Sequence, residues 1–247
     1  MKINALLAAT LLLFATAAAA QKTINEDEQL WLAVFNQTRF TDKWGTWADL
    51  HLRFREDFVG EAGLGIGRVG LTYYLTDDVR LTGAYAYIHH FPADGHQNIA
   101  RPEHRPWQQV QWFTRWPKVR LTQWIRLEER FLRKTLNDNE LGDGYNFNWR
   151  ARFSAALFIP LTKKGFAPGG WQFVLNDELF VNFGDKIVYN HFDQNRLFGG
   201  LVYQATAHSQ VQFGYMNVYQ QLAAGSTFRN LHTARIFYFH NFDLRKN

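Results

Sequence analysis

The sequence predicts an all-β chain that closes into an antiparallel transmembrane barrel. Three observations carry this. The first twenty residues read as an export leader. Aromatic residues make up 17% of the chain, with no apolar stretch after the leader long enough for a membrane helix. Apolar and polar residues then alternate over segments of about ten residues, the length of a tilted barrel strand.

The leader has a positive charge at Lys2, an apolar run from Ala5 to Ala20 centred on Leu11 to Phe14, and the small residues Ala17 to Ala20 before Gln21. Residues 1–20 are therefore expected to be a cleaved signal peptide, and 21–247 a single outer-membrane barrel domain. There is no Cys, so neither a lipid anchor nor disulfides are expected. In lipid every backbone polar group must be paired, and a closed barrel is the way strands achieve that. The aromatic surplus fits rings seated at the headgroup level.

Alternation is clearest in Trp44 to Arg55, where Trp44, Thr46, Ala48, Leu50, Leu52 and Phe54 oppose Gly45, Trp47, Asp49, His51, Arg53 and Arg55. Tyr145 to Ile159 repeats it, with Phe147, Trp149 and Phe153 opposite Asn146, Asn148, Arg150, Arg152 and Ser154. Leu64 to Leu75, Arg105 to Trp116, Val119 to Arg133, and the stretches around Leu201, Phe213 and Ile236 behave similarly. Leu30 to Phe40, Val79 to Phe91 and Trp171 to Phe183 are strand-like with less distinct faces.

Short turns are expected at Thr41 to Lys43, Thr76 to Asp78, Trp116 to Lys118 and Thr206 to His208. Longer connections are expected at Pro92 to His104, Lys134 to Gly144, Asp185 to Phe192 and Leu222 to Asn230. That rhythm matches periplasmic turns and extracellular loops, although Pro160 to Gly170 is long for the turn side. The segments number eleven. Because bacterial single-chain barrels have even strand counts, twelve strands are preferred and ten come next, with Leu30 to Phe40 the weakest segment.

The polar faces place Asp49, Arg53, Arg55, Arg68, Arg115, Arg126, Glu128, Arg130, Arg150, Arg152, Glu178, Arg196 and Arg235 toward the lumen, with Gln109 and Gln111. Facing lipid, an Arg would cost roughly 2–4 kcal/mol at the midplane. Such a lumen is either a sealed network of ion pairs or a narrow pore for small anionic solutes. A surface scaffold or adhesin acting through the longer loops is the alternative.

The formal net charge of +5 resides in Arg along strands, not in a basic helix, so nucleic acid is not expected as a partner. The expected partners are outer-membrane lipid, lipopolysaccharide and the barrel-assembly machinery. No enzyme is expected, and a lipid-modifying barrel is the remote alternative. His208 and Ser209 are adjacent and so point to opposite faces, and Ser154 has no assignable His. His89, His90 and His96 lack the ligand framework of a metal site, and no metal or cofactor is expected.

Five segments carry a family likeness: Glu103 to Gln109, Arg126 to Arg130, Asn176 to Glu178, Asp193 to Arg196 and Gly214 to Asn217. In that order the chain, from about Trp31 to Arg245, resembles the domain of unknown function 2490 family of outer-membrane barrels. The resemblance implies a barrel and its location. It assigns no activity and no catalytic residue.

Overall fold

A computed structural model describes residues 22–93 and 95–245, and the expected signal peptide lies outside them. The described residues form eleven strands. They are β1 (Thr23–Arg39), β2 (Trp44–Arg55), β3 (Glu61–Tyr74), β4 (Val79–His90), β5 (Arg101–Arg115) and β6 (Arg120–Asn137). There follow β7 (Glu140–Pro160), β8 (Trp171–Phe183), β9 (Phe192–Gln204), β10 (Ser209–Gln221) and β11 (Thr227–Asp243). Each strand pairs antiparallel with its sequence neighbour, and β1 closes the barrel against β11.

Neither twelve strands nor ten is correct. Successive antiparallel strands reverse direction, so an odd count leaves the first and last running the same way. The β1–β11 pair is accordingly parallel, in unbroken register from Thr23 beside Thr227 to Arg39 beside Asp243. Leu30 to Phe40, the weakest segment by alternation, is the heart of β1.

Three of the short turns share one device. The hydroxyls of Thr41, Thr76 and Thr206 accept the backbone N–H three residues on, from Trp44 at 2.9 Å, Val79 at 3.0 Å and Ser209 at 3.0 Å. A threonine in this role closes a turn without glycine. At the opposite end, Lys134 to Gly144 is not a long loop. The strands β6 and β7 continue to Asn137 and Glu140 and leave only a tight hairpin. Its tip holds the 91–100 loop, with Asn98 N–H donating to the Asp138 carbonyl at 2.9 Å and the Asn98 amide to Asn139 at 2.6 Å.

The β2–β3 connection is short and strained. Glu56, Asp57 and Phe58 adopt φ of 58°, 49° and 67°, in succession and without glycine. The Phe58 N–H donates to the Glu28 carbonyl at 3.3 Å, which fastens this connection to β1.

The outer wall is apolar where alternation predicts it, with Leu50, Val69 and Leu71 more than half exposed. Aromatic pairs sit on it toward the short turns, Trp44 with Tyr73 at 4.9 Å and Trp171 with Tyr203 at 4.8 Å between ring centroids. Other rings, including Tyr85, Tyr145 and Phe183, lie outward nearer the other end.

Candidate functional site in the lumen

The inner wall has two characters. From β5 to β9 it is a network of ion pairs. Glu128 is its hub, accepting from Arg150 Nη2 at 2.6 Å and from Arg152 Nη1 at 2.6 Å. Arg150 also donates to Asp193 at 2.8 Å, and Arg152 Nε donates to Glu178 at 2.8 Å. A second hub, Glu103, accepts from Arg105 at 2.7 Å and Arg130 at 2.8 Å and meets His90 Nε2 at 3.0 Å. On β2 and β3 a separate cluster joins Asp49 to Arg68 at 2.7 Å and to His51 at 2.8 Å, with the Trp47 indole N–H donating to the same carboxylate. All these carboxylates are buried, so each needs the guanidiniums that surround it.

Glu103, Arg105, His90 and Asp193 escaped the sequence reading of the charged face. Arg105 shares the parity of Gln109 and was legible from it. Glu103 follows Arg101-Pro102, which reads as loop but is the start of β5. Asp193 faces inward because the β8–β9 register shifts between Phe180 and Val181, which resets the alternation.

Two expected lumen arginines stand at the ends instead. Arg115 pairs with Asp78 at the short-turn rim, its side chain 51% exposed. Arg55 donates to Glu61 at 2.6 Å and to the Pro92 carbonyl at 2.9 Å at the other mouth. Strand ends project past the wall, and side chains there reach solvent-side partners.

The second character is aromatic. From β10 through β11 and β1 to β2 the inner wall carries Phe237, Phe239, Trp31, Phe35 and Trp47. On this wall and on the facing strands β4 and β6 stand arginines with no close acidic partner. Among the described residues Arg235 donates only to Gln212, at 3.0 Å, and it lies 3.8 Å over the Phe198 ring. Arg53 lies 3.5 Å over Trp31. Arg80 donates to Gln111 at 2.9 Å. Arg126 donates to Gln109 at 2.7 Å, lies 3.8 Å over Trp107, and is 3.9 Å from Glu128. Arg53, Arg80 and Arg235 make no ion pair among the described residues.

Between the two walls lies a cavity of about 600 Å³. Gln37 and Phe113 bound it toward the short turns, and Arg55 and His96 toward the other mouth. The lumen is therefore not filled by its charged network.

The residues weighed for catalysis sit apart from this cavity or are otherwise engaged. Ser154 accepts from the Asn176 amide at 2.9 Å. Ser209 meets His240 Nδ1 at 2.7 Å and accepts from the Tyr238 hydroxyl at 3.2 Å, and among the described residues no carboxylate orients that imidazole. His96 Nδ1 meets the Ile99 carbonyl at 2.9 Å. No group of three or more metal-ligating side chains gathers among the described residues.

The fold and lumen define a closed β-barrel with an arginine-rich, half-aromatic interior. The family model described as protein of unknown function DUF2490 matches residues 28–229, and the chain belongs to that family. An uncharacterized protein of Methylorubrum extorquens AM1 is 28% identical over 222 residues, covering 86% of this chain and 87% of the relative. No solved structure matches. Segments that carry the family likeness supply Glu103, Arg126, Glu128, Arg130, Glu178, Asp193 and Arg196, the residues that meet in and beside the ion-pair network.

Proposed function

We propose that this chain is an integral outer-membrane barrel, exported by its leader and inserted by the barrel-assembly machinery, whose lumen passes small anionic solutes. The apolar outer wall with aromatic rings toward both ends supports the membrane assignment. The observation that carries the solute reading is the open cavity lined by arginines without acidic partners. Uncompensated guanidiniums in a confined space attract anions and repel cations.

Reconstitution in planar bilayers tests this. Anion-selective conductance is the expected result. A silent or cation-selective barrel overturns conduction. Recovery in the outer-membrane fraction with heat-modifiable gel migration tests location, and a soluble, unmodifiable protein would overturn it. A second reading has its own observation. The ion pairs crowd the β5–β9 wall, where they brace neighbouring strands, and a purely structural lumen would be silent in the same bilayers.

A further inference from the structure

We propose that the β11–β1–β2 wall is a binding site for an amphipathic organic anion, a carboxylate carrying an apolar body. This rests on the reading that the lumen admits anions and names the class it selects.

The register builds the head of the site. Trp31 on β1 is the direct partner of Arg53 on β2 and of Arg235 on β11. Arg53 stacks on the Trp31 ring, and Arg196 lies 4.8 Å from the same ring. Arg235 lies between Phe198 and Phe237, at 3.8 and 4.2 Å. Its register partner on β10 is Gly214, where a Cβ would meet the backbone of Gly199 and Gly200 on β9.

Stacking engages the faces of these guanidiniums and leaves their edges to donate. The Nε atoms of Arg53 and Arg235 are buried and have no protein acceptor among the described residues. Arg196 donates its Nε to Gln194 at 3.2 Å and comes no nearer than 4.0 Å to Glu178, a carboxylate that Arg152 already holds. Guanidiniums whose N–H groups are only partly engaged are matched by a carboxylate, which accepts several N–H bonds at once.

The same strands supply the body of the site. Phe237 follows Arg235 by two residues and Phe35 follows Trp31 by four, both toward the short turns. Phe35 stacks on Phe239 at 4.6 Å and contacts Phe237 at 5.4 Å, with the edge of Trp47 at 6.2 Å. At about 3.3 Å per residue, Phe35 lies roughly 13 Å along the wall from Trp31, and the Phe237 ring, 4.2 Å from the Arg235 guanidinium and 5.4 Å from Phe35, joins the head of the site to its body. A fully hydrated inorganic ion leaves that wall uncovered. A carboxylate with a phenylalkyl or alkyl body covers it while its head meets the arginines.

The test uses the full chain refolded in nonionic detergent, titrated with 4-phenylbutyrate, 4-phenyl-1-butanol and acetate by calorimetry and tryptophan fluorescence. Phenylbutyrate is expected to bind at least tenfold tighter than either of the others. Arg53→Gln and Arg235→Gln are each expected to weaken phenylbutyrate by about tenfold, and Phe237→Ala to weaken phenylbutyrate but not acetate. Heat-modifiable migration checks that each variant is folded. Should a glutamine variant fail that check, Arg53→Lys keeps the charge without the planar fork and is expected to weaken binding several-fold.

Equal affinity for the alcohol overturns the role of charge, and equal affinity for acetate overturns the apolar body. A barrel that is anion-selective in bilayers yet ignores phenylbutyrate overturns this site alone. A silent barrel that binds phenylbutyrate, with loss in the arginine variants, removes conduction and supports the site.

Discussion

Leu32 and Ile236 are register partners across the parallel seam between β1 and β11, side by side on the outer wall. The chain has no Cys, so a pair introduced there reports on closure without background. Leu32→Cys with Ile236→Cys is expected to cross-link under mild oxidation. Leu32→Cys with Phe237→Cys is expected to stay reduced, because neighbouring residues on a strand point to opposite faces. Cross-linking of the second pair in place of the first would refute the seam.

Glu128 is expected to be the most costly single charge to remove. Glu128→Gln leaves Arg150 and Arg152 short of a counter-charge in a buried setting. Breaking such a pair costs about 3–5 kcal/mol. Denaturant unfolding in detergent micelles reads the loss, and a change below about 1 kcal/mol would show that water penetrates and screens the hub.

Arg53 and Arg235 set the sign of the lumen under the solute reading. Arg53→Glu with Arg235→Glu is expected to abolish anion preference in bilayer reversal-potential measurements, while Arg115→Glu at the rim has a smaller effect. Equal effects from rim and wall would place selectivity at the mouth.

Glu56 has φ of 58° in a run of three left-handed residues. Glu56→Gly relieves that strain and is expected to stabilise the barrel by about 1 kcal/mol. Its side chain is exposed, so little contact is lost. Destabilisation in the same unfolding assay would mean that the contact of Arg55 with Glu56, at 3.9 Å, outweighs the strain.

Asp77 accepts from Arg39 at 2.6 Å on the short-turn rim. That guanidinium holds the Asp77 carboxyl below its ordinary value of 3.8. A depressed carboxyl contributes stability above its unfolded pKa and loses it as pH falls through the folded one. Wild type is therefore expected to exceed Asp77→Asn slightly in thermal stability at pH 6, and the two to converge as pH falls through the folded value, which lies below 3.8. A difference that persists at low pH would have another origin.

Parity located most of the charged wall in advance. Asp49, Arg68, Arg126, Glu128, Arg150, Arg152 and Arg196 lie inside because each sits an even number of residues from another inward side chain. Parity failed at Asp193, where a register shift inserts a phase change that no local pattern announces. It also weakened in β1, β4 and β8, and for a physical reason. Trp31 and Phe35, Ala86 and Ile88, and Val174 and Phe180 face inward, so both faces of those strands are apolar and the alternation fades. In β1 the indistinct face was thus a trace of the aromatic wall. The direction of closure was not legible, since alternation reports which face a residue takes and not which way its partner strand runs.

The odd number of strands also gives the molecule a sidedness. Lys22 enters at the mouth that carries the 91–100 loop, and the chain leaves after Asp243 among the short turns. An even barrel returns both termini to one compartment. Here Lys22 and Arg245 stand at opposite ends of the barrel, so under the proposed membrane location epitopes placed before Lys22 and after Arg245 would each be reached by antibody from a different side.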